Sequence, residues 1–252
     1  MKTATKPLST WIVPNSENDA DFGEAEVITA GLNTEGTKTL KAVFGHKAFN
    51  YPKPPSLIRE LVRQASSPGD IVLDFFAGSG TTAQVVMELN AEDEGERAWI
   101  LVSSTEATRD DPDRNLCRDV TAQRVARLNA DTGKYADLAA EFAYLRTREI
   151  PFENLAYDLT GQQVWTIVQA MHGLALSPYD PGRAMQLAET STGALAYLDR
   201  VTEDAVGALR DLSERGRALV VYAWAPGQVE NALMGREAEV RAVPGDLTGS
   251  YR

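Results

Sequence analysis

Asp74-Phe75-Phe76-Ala77-Gly78-Ser79-Gly80-Thr81-Thr82 is the stretch whose reading decides this chain. An apolar run, Ile71 to Phe75, precedes its glycines and predicts a buried strand; Thr81 to about Asn90 predicts a helix. Between them Ala77 to Gly80 must turn the backbone sharply. Glycines there allow that turn and a close approach to a ligand, and the helix start offers N–H groups with no partner inside the helix.

Which ligand such a turn takes is set by its neighbours. A phosphate loop needs G-x-x-x-x-G-K-[ST], and no lysine follows Gly80. The dinucleotide fingerprint G-x-G-x-x-G meets Ala83 at its third glycine, a tolerated variant, so Gly78-Ser79-Gly80 alone is also compatible with a plain strand-to-helix turn. The carboxylate of Asp74 at the strand's end has the wrong sign for a phosphate cradle. It suits a ligand with a cationic amine, such as the methionine part of S-adenosylmethionine.

Working outward, Phe49-Asn50-Tyr51-Pro52-Lys53-Pro54-Pro55 reads as a stiff extended segment, because proline fixes its own φ and restrains the residue before it. It feeds a helix predicted over Ser56–Ala65, with Ser56 as N-cap and Leu57, Ile58, Leu61, Val62 and Ala65 on one face. Downstream, an acidic loop leads into a second buried strand, Ala98–Val102. A helix capped by Thr121 and stopped by Gly133 follows, then a third strand at Phe142–Thr147. Strands alternating with helices at these lengths predict an α/β fold whose parallel sheet is covered on both faces. Residues 1–50 read as a partly irregular lead-in, residues 51–150 as the domain bearing the glycine turn, and residues 151–252 as a smaller α/β extension. In that extension the pattern predicts a helix at Gln162–Met171 and a hairpin turned at Ser191-Thr192-Gly193. A helix starting at Thr202, a strand at Ala218–Trp224, a short helix at Gln228–Met234 and a strand at Glu239–Val243 complete it.

The string DFFAGSGTT resembles the S-adenosylmethionine-binding motif of amino-methyltransferases that modify DNA at adenine N6 or cytosine N4. Tyr51-Pro52-Lys53-Pro54 with Ser56-Leu57-Ile58 resembles the second cofactor motif, which in the permuted β class lies just before the glycine loop. The run FNYPKPPSLIRELVRQASSPGDIVLDFFAGSGTTAQVVMELN is most similar to modification subunits of type III restriction–modification systems. Arg97–Val102 and Leu116–Leu128 fit the next strand and helix of that family, and Pro7–Trp11 and Asn33–Thr37 resemble the segment after its target-recognition region. The likeness spans roughly residues 7–150. It implies a partial Rossmann-like sheet, S-adenosylmethionine as cofactor, and DNA as substrate through a complex.

The family's catalytic tetrapeptide, Asp/Asn/Ser-Pro-Pro-aromatic, is missing from residues 1–50, where the β class would require it upstream of the cofactor motifs. Ser177-Pro178-Tyr179-Asp180 is the nearest string. It lacks the second proline, falls downstream, and reads as an ordinary loop. Methyl transfer to an exocyclic amine needs a flipped base stacked on a ring, with its amino group held by acceptors. The expectation is therefore a cofactor-binding half that depends on a complementary chain for catalysis and target recognition, with a restriction subunit as a further partner.

By that resemblance Asp74 sits near the methionine amine, and Phe75, Phe76, Ala77, Gly78, Ser79 and Gly80 wrap the cofactor. Thr81 and Thr82 cap the helix and offer hydroxyls, while Lys53 and Pro54 close over the cofactor. Glu106, four residues past the second strand, is placed to accept from ribose hydroxyls, with Ser103, Ser104 or Thr105 as substitutes; Asn33 and Thr37 are lesser candidates. Arg109, Arg114, Arg118, Arg124 and Arg127 are interleaved with Asp110, Asp111, Asp113 and Asp119, which reads as a mixed solvated face. Trp165, Trp224, Phe142 and Tyr144 read as core, and His172 as a helix-end residue.

Composition narrows the alternatives. The 252 residues hold 25 Lys+Arg against 36 Asp+Glu, a net charge of −11, which argues against a free-standing protein that grips nucleic acid by bulk electrostatics. One cysteine, Cys117, and two histidines, His46 and His172, exclude an intrachain disulfide and a zinc centre of the usual kind. No signal-peptide core or stretch of roughly 18 apolar residues is present, so the expectation is a cytoplasmic protein without a membrane partner. Two rivals remain: a non-catalytic remnant that binds the cofactor or serves as a partner subunit, and a self-sufficient small-molecule methyltransferase.

Overall fold

The computed structural model describes residues 12–14, 28–190, 192–216 and 218–248. Pro7–Trp11, part of the family likeness, lies outside them. The chain divides into two compact units, Met1–Leu145 and Arg146–Arg252, and each is described by itself.

In the first unit β1 (Ile12–Pro14) pairs in parallel with β2 (Ile28–Ala30), and α1 (Asn33–Phe44) follows. This helix falls within the stretch read as a lead-in, and its interior Gly36 lowers helix propensity. That glycine is required by packing, because a Cβ there would lie 2.3 Å from the Pro52 carbonyl oxygen and 2.7 Å from that of Lys53. The proline-rich segment thus crosses α1 at bare backbone.

Next comes α2 (Pro55–Ala65), one residue earlier than the sequence predicted. Pro54 is its N-cap and Pro55 opens the first turn, where a missing N–H costs nothing. Ser56 is not the cap. Its Oγ donates to Glu35 Oε2 (2.6 Å) and accepts from Gly31 N–H (2.7 Å), while its own N–H donates to Glu35 Oε1 (3.1 Å). A carboxylate from α1 therefore satisfies a first-turn donor of α2.

The β3–α3–β4 unit forms as the glycine turn implies: β3 (Ile71–Asp74), α3 (Thr81–Asp93) and β4 (Ala98–Leu101), with β3 and β4 parallel in the register Ile71↔Ala98 to Asp74↔Leu101. Seven consecutive residues of α3, Thr81 to Met87, are buried, because α2, β4 and the later α4 (Gln123–Asn129) all pack on it. A π-helical turn, Cys117–Ala122, leads into α4. Thr121 lies inside that turn and so is not a helix cap.

Two expectations about this sheet fail. Phe142–Thr147 forms no strand, and β3–β4 is a two-stranded sheet. Phe142 and Tyr144 are partly exposed rather than core. The apolar alternation there reflects single side-chain contacts: Phe142 lies on Trp99 with ring centroids 6.2 Å apart, and Tyr144 Oη accepts from Asn115 Nδ2 at 2.8 Å. Nor, among the described residues, is the sheet covered on both faces. Ile71 is 66% exposed and Phe75 62%, with Leu73, Ile100 and Val102 exposed beside them, whereas Val72 and Trp99 on the other face pack against the helices.

The second unit is built around a four-stranded sheet of order β5-β6-β7-β8. Its strands are β5 (Met185–Glu189), β6 (Gly193–Leu198), β7 (Ala218–Ala223) and β8 (Glu239–Ala242). β5 and β6 form the expected antiparallel hairpin, and β6, β7 and β8 run parallel. The connecting helices α7 (Glu203–Glu214) and α8 (Pro226–Ala232) cover one face, meeting Ala194, Ala196, Leu198, Leu219, Val221 and Ala223. An earlier helix, α6 (Gly161–Met171), covers the other through Val164, Trp165 and Val168 against Leu195, Tyr197 and Tyr222. Side-chain caps start both longer helices, Thr160 for α6 and Thr202 for α7. Short helical turns, α5 (Leu155–Asp158) and α9 (Gly245–Thr248), flank this core. Among the described residues no helix is long and apolar enough to cross a membrane.

Candidate functional site at the glycine turn

The turn after β3 is held by hydrogen bonds that its own sequence supplies. Phe76 N–H donates to Asp74 Oδ1 (2.9 Å), Thr82 Oγ1 donates to Asp74 Oδ2 (2.6 Å), and Gly80 N–H closes the turn on the Ala77 carbonyl (2.7 Å). The Ala77 N–H donates to the Val102 carbonyl (3.2 Å), which ties the turn to the chain leaving β4. Gly78 and Gly80 have φ of 51° and 74°, the left-handed region that glycine enters without a steric cost. The Phe49 ring packs beside Gly78, where a Cβ would lie 3.6 Å from its edge.

Gly80 is the N-cap of α3, and no side chain caps the helix. Thr81 and Thr82 do not act as caps. Thr82 is spent on Asp74, and Thr81 Oγ1 donates to the Lys53 carbonyl (3.4 Å). The first turn of this 13-residue helix therefore receives no side-chain cap, and the partial positive charge of the helix start lies at the glycine turn.

The sequence-derived residues fall into two groups. Lys53, Pro54, Asp74, Phe75, Phe76, Ala77, Gly78, Ser79, Gly80, Thr81 and Thr82 form one locality, because the Thr81–Lys53 hydrogen bond joins the proline segment to the glycine turn. Within it Ala77, Ser79, Thr81 and Thr82 are buried, Lys53 is exposed and the Phe76 ring is 93% exposed. Glu106 is different. It lies on the loop after β4 with φ of 54°, and its carboxylate pairs with Arg114 at 2.5 Å. Among the described residues no hydrogen bond joins Glu106, Asn33 or Thr37 to the turn. Ser103 engages Cys117 instead, its carbonyl accepting from Sγ at 3.4 Å.

Sequence reasoning missed the residues behind the turn. Thr121 Oγ1 donates to the Gly78 carbonyl (2.7 Å). Arg124 does not belong to a solvated face: it is fully buried, donating from Nη1 to the Ser79 carbonyl (3.1 Å) and to Thr81 Oγ1 (2.9 Å), and from Nε to Gln84 Oε1 (2.9 Å). Arg109, Arg114, Arg118 and Arg127 are exposed, as expected. The missed signal was present as spacing: Val120, Thr121, Arg124, Val125 and Leu128 share one helical face.

In the other unit, Ser177-Pro178-Tyr179-Asp180 is an anchored loop. Ser177 N–H donates to Gln169 Oε1 (2.8 Å), and Trp165 Nε1 donates to Ser177 Oγ (3.2 Å). Trp165 is core, Trp224 is half-buried with its Nε1 on Tyr197 Oη, and His172 ends α6 as expected. No cluster of metal-ligating side chains occurs among the described residues.

A strand, a glycine turn, an uncapped helix start and a second parallel strand make this unit a mixed α/β fold. Residues 4–107 match the model of the DNA methylase family, which covers N6 and N4 methyltransferases. Over that stretch the chain is similar to DNA methylases and to type III modification subunits. It is 38% identical over 103 residues to the Mod subunit of the type III restriction-modification enzyme StyLTI of Salmonella typhimurium, a match covering 39% of this chain and 16% of that subunit. Against the EcoPI Mod subunit of Escherichia phage P1 it is 41% identical over 101 residues, covering 40% and 13%. The type II methyltransferase M.KpnI of Klebsiella pneumoniae matches over 68 residues at 41%, covering 27% and 16%. The chain thus matches about a sixth of the length of these relatives. Residues 108–150, included in the likeness drawn from the sequence, lie outside the family match.

Proposed function

We propose that the chain is the cofactor-binding half of a site-specific DNA methyltransferase, acting on adenine N6 with S-adenosylmethionine. Its sheet would be a partial Rossmann-like methyltransferase sheet within residues 51–150. The observation that carries this reading is the uncapped start of α3 opening directly from a glycine turn whose last strand residue is Asp74. The residues fit the group. The cofactor's carboxylate is suited to free first-turn N–H groups, its amine to the half-buried Asp74 carboxylate, and its adenosine to the exposed Phe76 ring and the Lys53–Pro54 segment. When bound, S-adenosylmethionine supplies an electrophilic methyl group on sulfonium. This chain's residues bind and orient that donor.

The acceptor machinery belongs, in this reading, to a complementary chain that brings the catalytic tetrapeptide and target recognition. Support comes from the exposed apolar face of β3–β4 and from the β3 edge opposite β4, which no strand pairs among the described residues. A parallel sheet is ordinarily buried on both faces, and an open apolar edge invites pairing. The net charge of −11 leaves DNA binding to the assembled enzyme, in which a restriction subunit is a further partner. The alternative is a non-catalytic remnant that binds the cofactor or serves as a partner subunit.

Titration calorimetry of the chain with S-adenosylmethionine, beside an Asp74→Ala variant, tests the reading. Binding that the variant loses supports it. A folded chain that binds neither alone nor with a tetrapeptide-bearing neighbour refutes it. Donor binding without DNA methylation in every such pairing supports the remnant.

A further inference from the structure

Arg124 is an unusual residue to find beneath a ligand-binding turn. It is completely buried, no carboxylate lies within hydrogen-bonding distance, and its Nη2 has no partner. All its acceptors are neutral: the Ser79 carbonyl and hydroxyl, the Thr81 hydroxyl and the Gln84 side chain. Burial of a cation with no directly bonded carboxylate is costly, and Glu88, one hydrogen bond beyond Gln84, offsets that only in part. Burial lowers the Arg124 pKa to about 10, so the guanidinium stays charged at neutral pH.

The geometry explains what that cost supports. In a planar trans peptide the C=O and the next N–H point in opposite directions. Thr121 holds the Gly78 carbonyl at 2.7 Å, which turns the Ser79 N–H away from the Thr121 side. Arg124 holds the Ser79 carbonyl, which aims the Gly80 N–H at Ala77 and closes the turn. Its Nη1 also fixes the Thr81 side chain that joins the Lys53 carbonyl. From Arg124 the network continues through Gln84 to Glu88, and from Glu88 to Arg59 on α2.

We infer that Arg124, with Thr121, is a positioning residue for the donor site: it fixes the glycine turn from behind and places a positive charge with no directly bonded carboxylate under a pocket for a carboxylate-bearing ligand. The inference rests on the proposed donor site. Its chemistry is specific, because a buried charge whose direct hydrogen-bond partners are all neutral favours a carboxylate on the open side of the turn more than a neutral group there.

The test uses the full chain and the variants Arg124→Met, Arg124→Lys and Thr121→Val, with Arg127→Ala on the exposed side of α4 as control. Calorimetry compares S-adenosylmethionine with 5′-methylthioadenosine, which lacks the amino-acid carboxylate. Hydrogen exchange reads the amides of residues 75–82, with the second unit's amides as a check on folding. Arg124→Met is expected to weaken S-adenosylmethionine by about tenfold or more while shifting methylthioadenosine by less than about twofold. Arg124→Lys, which keeps the charge but not the fork, falls between, and Thr121→Val speeds exchange of the turn. An equal loss of both ligands, or unaltered exchange of the turn in Arg124→Lys and Thr121→Val, overturns the inference. If the parent chain binds neither ligand, alone or with its complement, the donor-site reading fails and takes the ligand role with it. Faster exchange in the variants would then leave Arg124 a structural clamp only.

Discussion

The two sheets of this protein are finished to different degrees. In the second unit, β6 and β7 carry helices on both faces, and nearly every residue along them is withdrawn from water. In the first, β3 and β4 bury one face against α2 and α3 and present Ile71, Leu73, Phe75, Ile100 and Val102 to solvent on the other. The chemistry proposed here sits at the end of the unfinished sheet. In the proposed reading the open sheet is the surface that a complementary chain covers.

Truncation at equivalent depths should separate the sheets most sharply. Trp165→Ala removes the largest fully buried side chain of the second unit and is expected to cost ~3–5 kcal/mol in denaturant unfolding. Gly36→Ala comes next. Its methyl would collide with two backbone carbonyls, so a loss of ~1–3 kcal/mol and a weakened donor site are expected from melting and calorimetry. Thr82→Val deletes a 2.6 Å hydrogen bond to the Asp74 carboxylate at nearly constant volume, for ~1–2 kcal/mol. By contrast Leu73→Thr, on the exposed face, is expected to shift stability by less than ~0.5 kcal/mol while abolishing co-purification with a complementary chain. A large destabilisation by Leu73→Thr in the isolated chain would break the comparison, because it would mean that face is already covered.

The smallest effect concerns pH. Burial first, and the Arg241 guanidinium second, hold the His172 imidazole below the ordinary histidine range; Glu239 opposes them. The folded state therefore takes up the proton later than the unfolded chain. Stability from this group is full above the ordinary histidine pKa and declines as pH falls through it. A His172→Phe variant should lose that acid slope, and proton NMR should show His172 titrating below a free histidine. Its ring also contacts Tyr222 Oη at 3.2 Å, so the tyrosine resonance should follow the same titration.

Much of the glycine turn was legible without coordinates. Glycines at positive φ, an acid at the strand's end and a following helix are local requirements, and local requirements leave residue types at fixed spacing. The second unit's helices and strands were legible for the same reason, because Thr160 and Thr202 cap where a cap is needed and the apolar runs keep their period. Three things were not. α1 was hidden because Gly36 weakens helix propensity and is there for the Pro52 and Lys53 carbonyls, which arrive from elsewhere in the chain. The segment at Phe142 carried strand-like alternation, yet that alternation serves Trp99 and Asn115 one side chain at a time. Arg124 looked like one of five surface arginines because sequence shows a charge and not what surrounds it.

By itself, then, the sequence determined the strand, turn and helix around Asp74 to Thr82, the likeness to DNA methylases, and the absence of the catalytic tetrapeptide from the lead-in, since each is a matter of residue order within a short span. Only the tertiary structure decided that Thr81 and Thr82 face inward and leave α3 uncapped, that Arg124 and Thr121 grip the turn from more than forty residues away, and that one face of β3–β4 stays bare. Those are questions of which groups are removed from water and by what, and burial is a property of the whole fold rather than of any stretch of chain.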